Sequence, residues 1–366
     1  MNMQRRIAGI QKVIVDRGLD GMLSTRYEYI GYLTGVFHRS GVAMLVEPEG
    51  KPMVVCDEPA IIKSEAWAPD LLQIEHADSR GLPIARIAAL AHAVEQRGLA
   101  GKRLGLEKAH LTALEMELLA SLLPDAEWVE AGNVIPLAML VKGNDEVGAL
   151  RRAAEIADAG MKRALDTLRV GVTELEVAGE MELVMNRLGA DRTWFPIHVA
   201  SGYRSDLAIA YATEKLIQPN DKVALDIGPI YHLYCGELCT QVIVGKASAD
   251  IKRLYQSMVD VHSKVVETLI PGKRASEVFN AGYEYSQNLG VKEVYPSFGR
   301  SIGVTGIDES LFFRSTCETV LAPGMVVATV TYVGDGRHAI GAERMVLITE
   351  DSPEILSTLP LDLVEI

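Results

Sequence analysis

Four charged residues stand in apolar, strand-like runs where an unpartnered charge is costly: Asp226 after Val-Ala-Leu, Glu237 eleven residues later, Arg300 in Phe-Gly-Arg-Ser-Ile-Gly, and Glu343 in Gly-Ala-Glu-Arg-Met-Val. If strands bring the three carboxylates together they repel, and one pKa rises. That group could serve as a general acid or base, while another attacks a carbonyl or holds a cationic substrate. The competing reading is an inert, buried ion-pair network built on Arg300. His198, in Phe-Pro-Ile-His-Val-Ala-Ser-Gly, is a further candidate acid/base, set against a core histidine satisfied by backbone. Cys235 and Cys239 flank Glu237 at two-residue steps, so all three can share one strand face. A cysteine nucleophile there would need His198 or His232 as its base, and a buried, inert pair is favoured. Tyr234, His232 and His338 are additional candidates for lining a pocket, whereas Arg344 is expected on the opposite side of its strand from Glu343.

The elements that position these residues follow from periodicity. Ile7, Ile10, Val13 and Ile14 make a helical stripe near 2–18. Strands are expected at 21–25, 42–46 and 52–56, the last two as a hairpin, then at 103–107 and 127–130, with helices near 83–97 and 111–122. Helices alternating with strands make a small α/β domain. A long helix is expected from Asn144 to about Leu168, capped by Asn144 or Asp145. The domain boundary is set just before it, giving 1–140 and 141–366.

The second part contains a repeat. Thr167-Leu-Arg-Val-Gly-Val-Thr-Glu-Leu-Glu-Val177 matches Thr268-Leu-Ile-Pro-Gly-Lys-Arg-Ala-Ser-Glu-Val278, and Leu188-Gly189 matches Leu289-Gly290, all 101 residues apart. Each copy leads to a glycine-ended strand, at Gly202 and Gly303, and then to a turn and strand. Two copies of so long a unit are not a solenoid. They imply two αβ halves about a pseudo-twofold, with a pocket between them.

With 366 residues, two domains are favoured. A net charge of −13 argues against nucleic acid as partner. Four cysteines without a Cys-x-x-Cys pair indicate neither a zinc ribbon nor a disulfide framework. The absence of a long apolar run argues against a membrane span, and a cytoplasmic location is expected.

The order of motifs resembles the pita-bread (M24-type) family, which includes creatinase, prolidase, aminopeptidase P and methionine aminopeptidase. Arg26-Tyr-Glu-Tyr-Ile-Gly-Tyr-Leu-Thr-Gly35 resembles the turn of the creatinase-type amino-terminal domain. The helix at 145–165, Ala200-Ser-Gly202, Asp226-Ile-Gly228 and the stretch 300–303 resemble the catalytic domain. The implied fold is α/β: a creatinase-type domain followed by an α+β pita-bread domain with its internal pseudo-twofold repeat. The family peptidases hold two metal ions with two aspartates, a histidine and two glutamates. Carried over, those positions are Asp226, Glu237, Arg300, Ala328 and Glu343, and a second family histidine falls at Ile307. An arginine is not a metal ligand and alanine offers no donor. Neither a metal nor any other cofactor is therefore expected.

Creatinase shows that the fold can cleave a C–N bond without metal, but its acid/base histidine position falls at Ile209 here. An ectoine-hydrolase-like protein offers a precedent for carboxylate-centred, metal-free chemistry. The expected activity is metal-independent hydrolysis of a C–N or amide bond in a small polar substrate, with Asp226, Glu237, Glu343 and His198 as catalytic candidates. Arg300, Tyr234 and Tyr332 are substrate-binding candidates. Phe37 and Arg39 resemble a creatinase Phe-x-Arg that reaches across a dimer to a substrate carboxylate, which implies a homodimer. The alternatives are an Xaa-Pro peptidase with an altered metal site and a non-catalytic binding module.

Overall fold

The computed structural model describes residues 2–35, 41–57, 69–74, 81–207 and 210–366. It divides into two compact units, Met1–Met139 and Leu140–Ile366. No helix among the described residues is long and apolar enough to cross a membrane. Phe37, Arg39 and Ile209 lie outside the described residues.

The first unit runs α1 (Met3–Asp16), β1 (Gly21–Ser24), α2 (Tyr27–Thr34), β2 (Ala43–Val46), β3 (Met53–Cys56), β4 (Asp70–Gln73), α3 (Leu82–Gln96), β5 (Arg103–Leu106), α4 (Ala113–Leu122), β6 (Glu127–Glu130) and α5 (Val134–Met139). Its sheet order is β4-β3-β2-β1-β5-β6, with the expected hairpin between β2 and β3. The stripe of α1 buries Ile7, Ile10 and Ile14. The Tyr-Leu-Thr-Gly segment, expected as a turn, instead closes α2, because Gly35 takes the left-handed conformation that ends a helix. Just past β5, the buried Glu107 accepts a hydrogen bond from Ser24 Oγ at the end of β1. This contact ties two neighbouring strand ends together, and burial pushes Glu107 up to about 7.

The second unit opens with α6 (Asn144–Thr167). The cap of α6 is Gly143, not Asn144 or Asp145: its N–H donates to Glu146 Oε2 at 2.8 Å. A glutamate at the third helical position reaches back to the chain entering the helix, which leaves the two expected residues inside the first turn. Then come α7 (Glu174–Arg187), β7 (Arg192–Thr193), β8 (His198–Ser201), β9 (Lys222–Ile227), β10 (Pro229–Tyr231), β11 (Tyr234–Cys235) and β12 (Leu238–Ile243). The second half continues with α8 (Ala249–Glu267), α9 (Ala275–Asn288), β13 (Lys292–Glu293), β14 (Gly299–Ser301), β15 (Asp308–Phe312), β16 (Val326–Gly334), β17 (Ala339–Leu347), β18 (Glu354–Ile355) and β19 (Val364–Glu365).

The repeat is visible in three dimensions. Helices α7 and α9 are each 14 residues long and begin 101 residues apart, at Glu174 and Ala275. Thr173 bridges to Leu216 just as Arg274 bridges to Val320. The large sheet runs β15-β14-β16-β17-β12-β9-β8, so the first half supplies one edge, the second half supplies the other, and β12 and β17 meet at the centre. One core lies between the first-half strands and helices α6 and α7, filled by Ile156, Ala157, Met161, Val177, Met181, Val199, Leu225 and Leu238.

Candidate functional site

Strand register, rather than sequence proximity, assembles the site. Cys239 of β12 stands opposite Asp226 of β9 on one side and Glu343 of β17 on the other, and His198 of β8 stands opposite Asp226. Across β16, Glu343 faces Val330, and Ala328 faces Arg300 of β14. Alternate residues share a face, so His198, Asp226, Glu237, Cys239, Glu343, Ala328, Arg300 and Tyr332 all project to the same side of the sheet. Of these, His198, Asp226, Glu237, Arg300, Tyr332 and Glu343 border a cavity of about 210 Å³ that is also lined by Trp194, Phe195, Tyr211, Tyr295 and Ile307.

Arg300 occupies the middle of the carboxylates. Its Nη2 donates to Glu237 Oε2 at 2.8 Å, its Nη1 lies 3.5 Å from Glu343 Oε2, and its Nε donates to the Gly306 carbonyl at 3.1 Å. Oxygens of Asp226, Glu237 and Glu343 all lie within 4.8 Å of one another. Burial is the largest influence on both glutamates and raises both, with Glu343 pushed up to about 7. Neighbouring carboxylates add to the rise, while Arg300 opposes it. The pair therefore keeps a proton that an exposed glutamate would lose. Burial works against the charge on Arg300, yet Glu237 and Glu343 outweigh it and hold the guanidinium pKa above its ordinary value. His198 Nδ1 is 3.4 Å from Asp226 Oδ2. Asp226 Oδ1 is buried without a hydrogen-bond donor, whereas Glu343 Oε2 has Arg300 Nη1 facing it at 3.5 Å.

Tyr332 leans across its opposite residue Gly341 to reach Cys239 Sγ, at 2.9 Å. A Cβ at position 341 would sit 2.2 Å from the ring, so the contact requires glycine there. Burial pushes the Cys239 thiol well up, which leaves it protonated and a poor nucleophile. Trp194 is clamped in the same way between Gly228 and Gly306, where added Cβ atoms would come within 2.1 and 2.4 Å, and its indole N–H donates to the Gly236 carbonyl.

Several expected pocket residues lie elsewhere. Tyr234 is buried away from the cavity, and its hydroxyl donates to Glu146 Oε1 at 2.9 Å. It belongs to the small sheet β11-β10-β7, and alternation points it opposite to Glu237, so it anchors the start of α6 rather than a substrate. His232 lies in the two-residue turn between β10 and β11 and stacks on Tyr231. His338 is exposed in a turn. Cys235 Sγ packs on the Val304 carbonyl at 3.7 Å. Arg344 turns to the other face, donating to the carbonyls of Cys239 and Pro360.

The aromatic lining was missed at the level of sequence. A signal existed: Trp194 and Tyr295 occupy matching positions, 101 residues apart, and each lies close before a strand that carries a site residue.

The architecture and the carboxylate row define a pita-bread domain that follows a creatinase-type domain in the sequence. The profile of metallopeptidase family M24 matches residues 148–350, and that of the creatinase/prolidase N-terminal domain matches residues 6–138. The chain belongs to family M24, hydrolases acting on C–N bonds. It is 29% identical over 350 residues to the uncharacterized peptidase YqhT of Bacillus subtilis, covering 95% of this chain and 96% of that one. It is 24% identical to the creatinase of a Bacillus species, covering 98% and 91% of the two chains. A solved Xaa-Pro dipeptidase from Bacillus anthracis superposes with a TM-score of 0.88 at 26% identity, covering 100% of both chains.

The family name implies metal, and the residues here do not fit a metal pair. Three carboxylate oxygens lie close enough to share one cation, but the guanidinium of Arg300 is already bonded to Glu237 and adjacent to Glu343. That charge cannot be removed by deprotonation. Ala328, facing Arg300 across the strand pair, supplies no donor atom.

Proposed function

We propose that the protein is a metal-independent hydrolase of a C–N bond, of amide or amidine type, in a small polar substrate. The observation that carries this reading is Arg300 bonded within the carboxylate cluster, opposite Ala328. In the proposed reaction His198, oriented by Asp226 through Nδ1, removes a proton from water through its other ring nitrogen as the oxygen adds to the substrate carbon. The proton held by Glu237 and Glu343 passes to the leaving nitrogen as the C–N bond breaks. His198 then returns its proton to the carboxylate pair, so the balance is one water consumed per bond cleaved. Arg300 keeps the carboxylates together and tunes their proton affinity, and Tyr332 borders the substrate.

The proposal includes a cytoplasmic homodimer in which Phe37 and Arg39 of one protomer approach its partner's cavity and Arg39 binds a substrate carboxylate. Arg39→Ala should then raise KM while leaving kcat nearly unchanged.

A second reading is favoured by the Xaa-Pro dipeptidase with the same fold: cleavage of Xaa-Pro dipeptides at an altered metal site. One experiment separates the two. Small amides, cyclic amidines and Xaa-Pro dipeptides are incubated with the protein in a chelator and, separately, with added manganese. Turnover of an amide or amidine in chelator is expected; manganese-dependent turnover of Xaa-Pro dipeptides alone would replace the first reading with the second.

A further inference from the structure

Resting on the metal-independent reading, we infer that Trp194 is the positioning residue for Arg300: an indole from the first half of the repeat fixes the guanidinium that the second half sends among the carboxylates. Trp194 touches the backbone beside three of the four charged groups. Its main-chain N–H donates to the Gly228 carbonyl at 3.0 Å, two residues after Asp226. Its indole N–H donates to the Gly236 carbonyl at 3.0 Å, one residue before Glu237. Its ring packs on Gly306, whose carbonyl accepts from Arg300 Nε at 3.1 Å. The guanidinium carbon of Arg300 lies 5.8 Å from the ring centre, within reach of the aromatic quadrupole. A guanidinium is a rigid planar fork, so fixing Nε also fixes where the other two nitrogens point. Here they point at Glu237, at 2.8 Å, and at Glu343, at 3.5 Å.

Space for the ring is built into the chain. A Cβ at position 306 would lie 2.4 Å from the ring, and one at position 228 would lie 2.1 Å from its Nε1. Neither glycine has the left-handed backbone that by itself calls for glycine, so the ring is what their missing side chains accommodate. Trp194 is half-buried, borders the cavity and is absent from the core between the first-half strands and helices α6 and α7. An aromatic residue that served only to fill volume would belong to such a core. This one instead braces Gly306 and, through its carbonyl, the Nε of Arg300.

Nuclear magnetic resonance of the full chain carrying nitrogen-15 arginine tests this through hydrogen exchange at the guanidinium of Arg300. Arg344, buried on the other face of the sheet, serves as the internal reference, and each signal is assigned by its loss in Arg300→Lys or Arg344→Lys. Trp194→Phe removes the indole N–H and shrinks the ring, whereas Gly306→Ala keeps the tryptophan and displaces it. Either variant is expected to speed exchange at Arg300 by at least about tenfold while leaving Arg344 within about twofold. Should Trp194→Phe fail to fold, Gly306→Ala carries the test. Unchanged exchange at Arg300 overturns the inference, and so does equal acceleration at both arginines, which is general loosening. On a substrate found in the amide and amidine screen, both variants should lower kcat by about tenfold or more, with KM altered less. An unaltered kcat would also overturn the inference. Exchange is read without substrate, so a selective change at Arg300 in a protein that hydrolyses nothing would sink the hydrolase reading alone. Metal-free turnover together with unchanged exchange would sink the role of Trp194 alone.

Discussion

Glu107 in the first unit and Glu343 in the second are both buried glutamates pushed up to about 7, yet they sit in different physical settings. Glu107 lies beside a gap of about 10 Å³ and is held by the hydroxyl of Ser24. Glu343 lines a cavity of about 210 Å³ and is coupled to two other carboxylates and a guanidinium. Burial is the first cause in both places. A displaced pKa therefore marks desolvation, and only the cavity and the coupled neighbours distinguish a site from a structural tie.

The comparison can be broken most forcefully at Arg300. Arg300→Ala leaves three carboxylates without their buried counter-charge and is expected to lower stability by about 3–5 kcal/mol at pH 8. Urea unfolding should show part of that loss recovered at pH 5, where the carboxylates take up protons. A loss below about 1 kcal/mol at pH 8 would mean the cluster is not held by that charge.

At Glu107 the substitution has the opposite effect, because there the buried charge is the cost. Its folded pKa lies above the unfolded value, so the folded state holds a proton that the unfolded chain has released. Stability should fall as pH rises from about 4.5 to about 7 and remain low above that. A displacement of this size corresponds to on the order of 3 kcal/mol. Glu107→Gln, which keeps an acceptor for Ser24, should flatten this dependence and gain about 1–3 kcal/mol at pH 8. An unchanged pH profile would remove Glu107 as its source.

Glu343→Gln sharpens the contrast, because it should cost activity where Glu107→Gln costs none. Turnover of a substrate found in the amide and amidine screen should fall by about 10²–10⁴-fold. In the unaltered enzyme, turnover should decline as pH rises through about 7, where Glu343 gives up its proton. Full activity in the Gln variant would return the cluster to a structural role. The smallest effect is expected at Tyr234→Phe, which removes one buried hydrogen bond to Glu146. It should cost about 1 kcal/mol in thermal unfolding and leave KM unaltered, and a raised KM would restore Tyr234 to the pocket.

The fold was legible because the 101-residue repeat and the strand and helix periods are local signals that tertiary packing then reinforced. Asp226, Glu237, Arg300 and Glu343 were legible because charges in apolar strands demand one another. Tyr234 was misplaced because its sheet could not be known: it pairs back on Tyr231 across the turn at His232 and Leu233, in the small sheet away from the cavity. The wall of Trp194, Tyr211 and Tyr295 was missed because aromatic residues fill ordinary cores equally well, and only the repeat could have singled out two of them. The cap of α6 depends on a side chain reaching backwards, which composition alone does not reveal.

The most direct test of the account is the metal content of the protein after equilibration with manganese, cobalt and zinc and removal of excess ions. The Arg300 cluster predicts far less than one ion per chain by elemental analysis, with Arg300→His raising the uptake. Retention of about two ions per chain by the unaltered protein, as in dinuclear hydrolases, would contradict the account.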